Sequence, residues 1–481
     1  MADNFAIPTP VIRSKIGTRV IGGKLCLLNQ NRAEGWICAG SSRRVWEKLQ
    51  KNATIPEIAA DFQAKYGISN EKATADIVRF VEHLWQRQIV DIPGREHITA
   101  EQRSAMVKQE PDNQSGKMFA LATSANTLCK MWIDLLIPCN LRCRHCYLDF
   151  SHKDIMPYDK VIDIVDQLAA HGAAEIILTG GEIFMRKDLL DIIAHVESHG
   201  FLFDLYTNAN YIDEPMADKL AKFAIQTVQI SVYGTTAETH EAITKKAGTF
   251  DKSITAARLL TERGVRVRLA CHVQHDNFEE VYKFPDFAKS IGAEYEFDTK
   301  LVPNRDGSML PLGYGVTMAQ QAELYKAKLI KQPKTDTLCT AAVTKGRISA
   351  AGDIYPCELI NTATVGNLYR NTLAEIWASR WRTELRSQIL GYKPHRCGGC
   401  GHSSDCVPCA AMRGFNLENH MEAPVSEACL LTTADLISRG KTIADNSPAG
   451  AAAKGCVEHL MAKNVGRMIK DALIQITAAT G

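Results

Sequence analysis

The stretch Met131-Trp-Ile-Asp-Leu-Leu-Ile-Pro-Cys139-Asn-Leu-Arg-Cys143-Arg-His-Cys146-Tyr147 decides how the rest of the chain is read. Its first half is an apolar run that predicts a β-strand over 130–137. Its second half sets three cysteines at CxxxCxxC spacing on the loop that follows. Three thiolates on one short loop can hold three irons of a [4Fe–4S] cube and leave the fourth iron open to a small molecule. A structural zinc site would instead close its tetrahedron with a fourth protein ligand.

Outward from this stretch, apolar β-like runs alternate with amphipathic helices. Strands are expected at 130–137, 175–179, 202–207, 226–232, 266–273 and 294–299, with helices such as Lys160–Leu168 and Ser253–Leu260 between them. Six βα repeats predict an α/β fold, a parallel sheet curled into a partial TIM-like barrel. Chemistry in such a barrel collects at the C-terminal ends of the strands. The cysteine triad follows the first strand, Thr179-Gly-Gly-Glu182 follows the second, Thr207-Asn208 ends the third and Ser231-Val-Tyr-Gly234 ends the fourth. In Gly180-Gly181-Glu182 the glycines permit close backbone approach, and the carboxylate can accept hydrogen bonds from an ammonium group.

The triad, with Gly-Gly-Glu 34 residues beyond Cys146, resembles the radical SAM enzymes. That resemblance implies that Cys139, Cys143 and Cys146 carry a cluster whose open iron chelates S-adenosylmethionine (SAM). Its reductive cleavage would give a 5′-deoxyadenosyl radical. By the same resemblance Gly180, Gly181 and Glu182 meet the methionine ammonium, while Asn208 and Ser231 contact the ribose or methionine part. The plainer role for Asn208 and Ser231 is capping of strand–loop junctions. Arg268, on the fifth strand, would face the SAM carboxylate or else solvent. His145 shapes the loop.

Further along come Cys339, Cys357, Cys397, Cys400, Cys406, Cys409 and Cys429, with Gly352 five residues before Cys357 and then Val365-Gly-Asn-Leu368 and Leu373-Ala-Glu-Ile-Trp377. This resembles the SPASM extension of peptide-modifying radical SAM enzymes. It implies two auxiliary [4Fe–4S] clusters, three clusters in all. Cys397, Cys400, Cys406 and Cys429 would close the distal one, and Cys339, Cys357 and Cys409 would hold the one nearer the barrel. Cys406-Val-Pro-Cys409 has two intervening residues where that family more often has three. By spacing alone the cysteines would also suit a pair of zinc sites. Glu358, directly after Cys357, stands where some relatives carry an acidic residue that takes up a proton, and is a candidate base; an exposed loop carboxylate has the same appearance.

At the N-terminus, two short strands flank Gly22-Gly23. Three helices follow, the second capped at Thr54 with Pro56 in its first turn and the third beginning near Ser69. Residues 88–92 read as a small wing strand. The unit is winged-helix-like, and Leu27-Leu-Asn29, Val45-Trp-Glu47, Thr54-Ile-Pro-Glu-Ile58 and Asp76-Ile-Val-Arg-Phe80 resemble the peptide-recognition domain of the pyrroloquinoline-quinone chaperone type. In that family the leader of a precursor peptide adds as a strand beside the sheet and packs on the third helix. A DNA-binding winged helix would want a basic third helix, whereas here Glu71, Lys72, Asp76, Arg79 and Glu82 nearly balance.

The expected organisation is a recognition domain (1–98), a polar linker (99–126), the barrel (127–325), the SPASM domain (326–435) and an amphipathic helical tail (436–481). A net charge of +2 argues against nucleic acid as a partner, and no apolar run is long enough to span a membrane. Fifteen cysteines without an export signal predict metal ligation in a reducing cytoplasm, ten of them patterned and Cys26, Cys38, Cys129, Cys271 and Cys456 scattered. The reading is a cytoplasmic maturase that crosslinks a ribosomally made precursor peptide and is reduced by a flavodoxin or ferredoxin. Its alternatives are a protein maturase that builds a cofactor or formylglycine-type residue, a non-catalytic metal-bound peptide scaffold, and a DNA-binding redox regulator.

Overall fold

The computed structural model describes residues 7–38, 40–95, 114–306, 308, 310–332 and 339–391, together with 409, 411, 434, 435, 438 and 439. Cys397, Cys400, Cys406 and Cys429 lie outside the described residues, as does the 436–481 tail apart from Ser438 and Arg439.

The N-terminal unit opens with β1 (Val11–Ile12), followed by the antiparallel sheet of β2 (Ile16–Ile21), β3 (Lys24–Asn29) and β4 (Glu34–Cys38). Three helices follow: α1 (Ser42–Leu49), α2 (Ile55–Tyr66) and α3 (Asn70–Gln86). Thr54 and Glu57 form a capping box on α2, and the Ser69 side chain caps α3. The expected wing strand is β5 (Val90–Asp91), which pairs with β1. Period-two alternation along β3 separates two faces. Leu25 and Leu27 pack on Trp46, Phe62, Ile77 and Val81 of the helices, while Cys26 and Leu28 join a second apolar cluster on the other side.

That second cluster shows that the end of the stretch read as a linker, 114–124, is a packed helix; 99–113 lie outside the described residues. This helix, α4 (Gln114–Ser124), buries Met118 and Ala122 between the N-terminal sheet and Cys129, Ala174 and Leu202 of the barrel. A single apolar turn inside a polar run is too short to stand out in the sequence.

Six parallel strands form the barrel in chain order: β6 (Lys130–Asp134), β7 (Glu175–Thr179), β8 (Leu202–Thr207), β9 (Thr227–Ser231), β10 (Val267–His272) and β11 (Glu294–Asp298). β6 stops at Asp134, three residues short of the expected end, and beyond it Leu136 forms an isolated bridge to Ile155. Helices α5 (Tyr158–Ala170), α6 (Leu189–Ser198), α7 (Glu214–Leu220), α8 (Ala237–Thr244), α9 (Thr249–Glu262) and α10 (Phe284–Ile291) connect them. Ile133, Leu178, Phe203, Leu205, Ile230 and Leu269 pack with Val161, Ile164, Ile192, Val196 and Leu260 in one core. The sheet then runs on into the C-terminal segment. β12 (Lys345–Ile348) adds parallel to β6, and β13 (Asp353–Tyr355) and β14 (Gly366–Asn367) follow antiparallel.

The N-terminal sheet docks at the N-terminal ends of the barrel strands, opposite the rim that carries the motifs. Arg19 donates from Nη2 to the carbonyl of His199 at 2.9 Å and lies over the Phe201 ring, 4.3 Å to its centroid. Gln30 Nε2 donates to the carbonyls of Glu197 and Phe201, 3.0 and 2.9 Å.

Candidate active site

The C-terminal ends of the strands open into a cavity of about 460 Å³. Cys139, Cys143 and Cys146 line it, with Gly180, Gly181, Asn208, Ser231 and Glu358. One space therefore collects residues from all six strand ends and from the C-terminal segment.

The triad loop is pinned from several sides. Arg142 N and Arg144 N donate to the carbonyls of Thr244 and Ile243, and Lys246 Nζ donates to Asn140 O at 3.1 Å. Asn208 Nδ2 donates to Asn140 Oδ1 at 2.8 Å and lies 3.7 Å from Cys139 Sγ. His145 is buried, its Nδ1 3.0 Å from Gln274 Nε2 and its ring edge-on to Tyr233.

Behind the triad the two glycines let backbone meet backbone. A Cβ on Gly180 would lie 2.4 Å from Leu136 O, and one on Gly181 2.1 Å from Pro138 O. Gly181 N and Glu182 N donate to Leu136 O and Pro138 O, 2.8 and 3.0 Å. The close approach that the glycines permit is first to the triad loop itself.

Two of the side chains expected around SAM do not line the cavity. The Glu182 carboxylate does not line the cavity; it is fully buried and accepts from Phe184 N, Thr207 Oγ1 and Asn208 N at 3.0, 2.7 and 2.7 Å. Burial pushes its pKa up, against these three donors. Held by those three donors, it braces the turn. Arg268 likewise is not among the lining residues. It sits one inward pleat below Ala270, where Glu294 and Glu296 pair with it at 3.6 and 3.4 Å.

A fit test follows from the donor set. Zinc–sulfur bonds of about 2.3 Å draw ligating sulfurs to roughly 3.8 Å apart. Among the described residues, the only three ligand atoms within 4.8 Å of one another lie elsewhere, at Asp166, His195 and His199. The triad thiols line one cavity and offer three sulfur donors on one loop, the set that a [4Fe–4S] cluster with one open iron takes.

Comparison with known proteins agrees with this geometry. Residues 138–288 match the radical SAM superfamily, 339–401 an iron–sulfur cluster-binding domain of the SPASM type, and 25–90 coenzyme PQQ synthesis protein D. The chain is a radical SAM/SPASM protein. It is 26% identical over 307 residues to mycofactocin maturase MftC of Mycobacterium tuberculosis, covering 58% of this chain and 77% of that one. To the PqqA peptide cyclase of Granulibacter bethesdensis it is 24% identical over 325 residues, 62% and 85% of the two chains. To an AdoMet-dependent heme synthase of Methanosarcina barkeri it is 25% identical over 318 residues, 58% and 90%. In fold it resembles Streptococcus suis SuiB bound to S-adenosylmethionine, with a TM-score of 0.53 at 16% identity, over 82% of this chain and 94% of that one. Iron–sulfur and SAM binding thus belong to this radical SAM/SPASM enzyme. No helix among the described residues is long and apolar enough to cross a membrane.

The SPASM side of the cavity is strongly charged. Asp134, at 0% exposure, accepts from Arg305 Nη2 at 2.6 Å and lies 3.9 Å from Arg347 Nε. The Arg347 guanidinium lies 4.6 Å from the Tyr355 ring centroid, and Tyr147 lies within reach of both arginines. Arg347 lines the cavity, is 2% exposed, and has no hydrogen-bond partner at Nη2. Glu358 Oε1 accepts from Lys345 Nζ at 2.9 Å. Burial favours the neutral acid, but the Lys345 charge and hydrogen bond outweigh it and hold the carboxyl below its usual range. Cys357 is buried, while Cys339 and Cys409 are partly exposed.

Sequence reading missed Trp132, Tyr206, Gln229 and His272, which also line the cavity. The signal was there: in β8 and β9, Tyr206 and Gln229 interrupt apolar strands at the alternate positions that face inward. Lys345 and Arg347 carried no motif at all.

Proposed function

We propose that this radical SAM/SPASM enzyme is a maturase that forms a new bond, thioether or carbon–carbon, within a ribosomally made precursor peptide. The observation that carries the reading is the shared cavity, where the triad, the Gly180–Gly181 turn and Glu358 of the SPASM segment face one space. The PQQ synthesis protein D match at 25–90 and two relatives, one named a maturase and one a peptide cyclase, support a peptide substrate.

Cys139, Cys143 and Cys146 would hold one [4Fe–4S] cluster, with Gly180, Gly181, Asn208 and Ser231 around SAM. Cys339, Cys357 and Cys409 would hold a second, and Cys397, Cys400, Cys406 and Cys429 a third. When bound, these groups supply a carbon-centred radical that takes an unactivated hydrogen atom, and a sink for the spare electron. A flavodoxin or ferredoxin in the cytoplasm would deliver the reducing electron.

The chain's own residues position and protect. Among the described residues β4 has an unpaired edge, and Trp36 on it packs toward α3 through His83, 5.2 Å between ring centroids. A leader adds there as a further strand. Tethering raises the effective concentration of a weakly held core peptide. Asn208 fixes the triad loop, and Glu358, kept ionised by Lys345, is placed to receive a proton from the substrate.

Anaerobic reconstitution with iron and sulfide, then SAM, dithionite and the precursor encoded beside the gene, tests this. Iron of about twelve per chain, 5′-deoxyadenosine, and a peptide lighter by two hydrogen atoms are expected. A C139A/C143A/C146A variant should lose the deoxyadenosine and about four irons. Glu358→Gln should keep deoxyadenosine formation and slow peptide conversion about 10²-fold or more. Intact SAM after full reduction, or zinc in place of iron, overturns the reading.

A further inference from the structure

Far from the cavity, on the outer helical layer, three side chains converge that the proposed reaction does not use. His195 and His199 stand four residues apart on α6, or at its end, and so share one face. Asp166 comes from the neighbouring α5. Its Oδ1 lies 2.7 Å from His195 Nε2 and 2.9 Å from His199 Nε2, and the three ligand atoms all fall within 4.8 Å of one another. Both helices are fixed from behind by Ile164, Val165, Ile192 and Val196, all fully buried.

We propose that Asp166, His195 and His199 form a separate site for a divalent transition metal of the zinc class. Two imidazoles and one carboxylate are a donor set such ions take at about 2.0–2.2 Å. An ion at those distances holds its ligand atoms roughly 3 Å apart, so small side-chain rotations would admit it. The side chains of His195 and His199 are 25% and 33% exposed, which leaves room for water to complete the coordination. The nitrogen donors disfavour calcium and magnesium, which prefer oxygen. A plain hydrogen-bonded trio is the alternative, with one carboxylate oxygen accepting from both rings.

The location gives the site a consequence. The His199 carbonyl accepts from Arg19 of the N-terminal sheet, and the next residue, Gly200, lies against Gly17. An ion held by His195 and His199 would stiffen the end of α6 on which the recognition unit docks. The ion acts as a clamp with no part in the chemistry.

The test uses the cluster-reconstituted full chain, incubated with Zn²⁺, desalted and analysed for zinc and iron. Wild type should retain one more zinc per chain than H195Q/H199Q, at equal iron and equal deoxyadenosine formation. D166N, which spares both histidines, should also lose that zinc. Zinc should slow proteolytic separation of the N-terminal unit in wild type and leave the double variant unaffected. Equal zinc in wild type and both variants overturns the site, and unchanged proteolysis overturns the clamp.

Discussion

The carboxylate of Glu182 and the backbone N–H of Asn208 meet at 2.7 Å, joining the turn after the second barrel strand to the end of the third. Thr207 Oγ1 and Phe184 N bind the same carboxylate, and the Asn208 side chain reaches on to Asn140 in the triad loop. The buried carboxylate thereby sets the position of a loop that Glu182 itself touches only through its backbone N–H, at Pro138 O. Glu182→Gln keeps one oxygen and turns an amide N–H₂ toward a donor. We expect a loss of about 1–3 kcal/mol in denaturant stability and weaker SAM binding by roughly tenfold. Equilibrium dialysis of SAM against the reconstituted variant checks this, and wild-type affinity would refute the bracing role.

Docking of the N-terminal unit depends on two glycines. A Cβ on Gly17 would lie 2.0 Å from Gly200 O, with no flexible side chain to yield. Gly17→Ala should weaken the interface by roughly 3 kcal/mol. The expected signature is faster proteolysis between the N-terminal unit and the barrel, with iron content and deoxyadenosine formation preserved. A variant as protease-resistant as wild type would sink the prediction.

Asp134 balances the buried Arg347 and the partly buried Arg305, so its loss should be severe. Asp134→Asn leaves Arg305 and Arg347 facing each other without a counter-charge and should cost roughly 3–5 kcal/mol. Adding Arg305→Gln should recover part of that loss, because one of the stranded charges is then gone. Urea unfolding of the single and double variants measures the coupling. Additive losses would show that the ion pair is not what holds this wall.

Asp204, on the inward face of β8, should impose a pH dependence. Burial raises its pKa from 3.8 to about 6, Lys130 opposing and Glu175 reinforcing, and Oδ1 has no hydrogen-bond partner. Because the folded value is the higher one, the folded state binds the proton more tightly. Its contribution is therefore most favourable below pH 4, falls as pH rises toward 6, and stays low above that. Asp204→Asn should raise stability at pH 8 by up to about 3 kcal/mol and change little at pH 4. An equal effect at both pH values would contradict the assignment.

The recognition sheet and the cavity sit at opposite ends of strands five to six residues long. On the proposed function, a precursor must span that height, roughly 20 Å at about 3.3 Å per extended residue. Shortening the spacer between leader and modified residue below about six residues should abolish conversion while leaving leader affinity intact. Competition binding and mass spectrometry on a spacer series would decide it.

Local patterns made much of this legible before any coordinates. Alternating and helical periodicities located all six barrel strands within three residues at either end, and the CxxxCxxC loop with Gly180-Gly181 marked the rim that opens into the cavity. Thr54 and Ser69 announced the starts of α2 and α3. Helix α4 escaped because its buried face is a single turn. Lys345 and Arg347 escaped because β12 pairs with β6 across more than two hundred residues of chain.

The sequence by itself located the cysteine loop and the Gly180-Gly181 turn, since three cysteines on one loop and two adjacent glycines act over a few bonds, and its resemblance to the radical SAM enzymes supplied the chemistry. Only the tertiary structure decided where charges and faces point. It turned Glu182 inward against three donors, seated Arg268 between two glutamates, and set Lys345 beside Glu358. A carboxylate's role depends on which distant segment packs against it, and backbone periodicity carries no record of that partner.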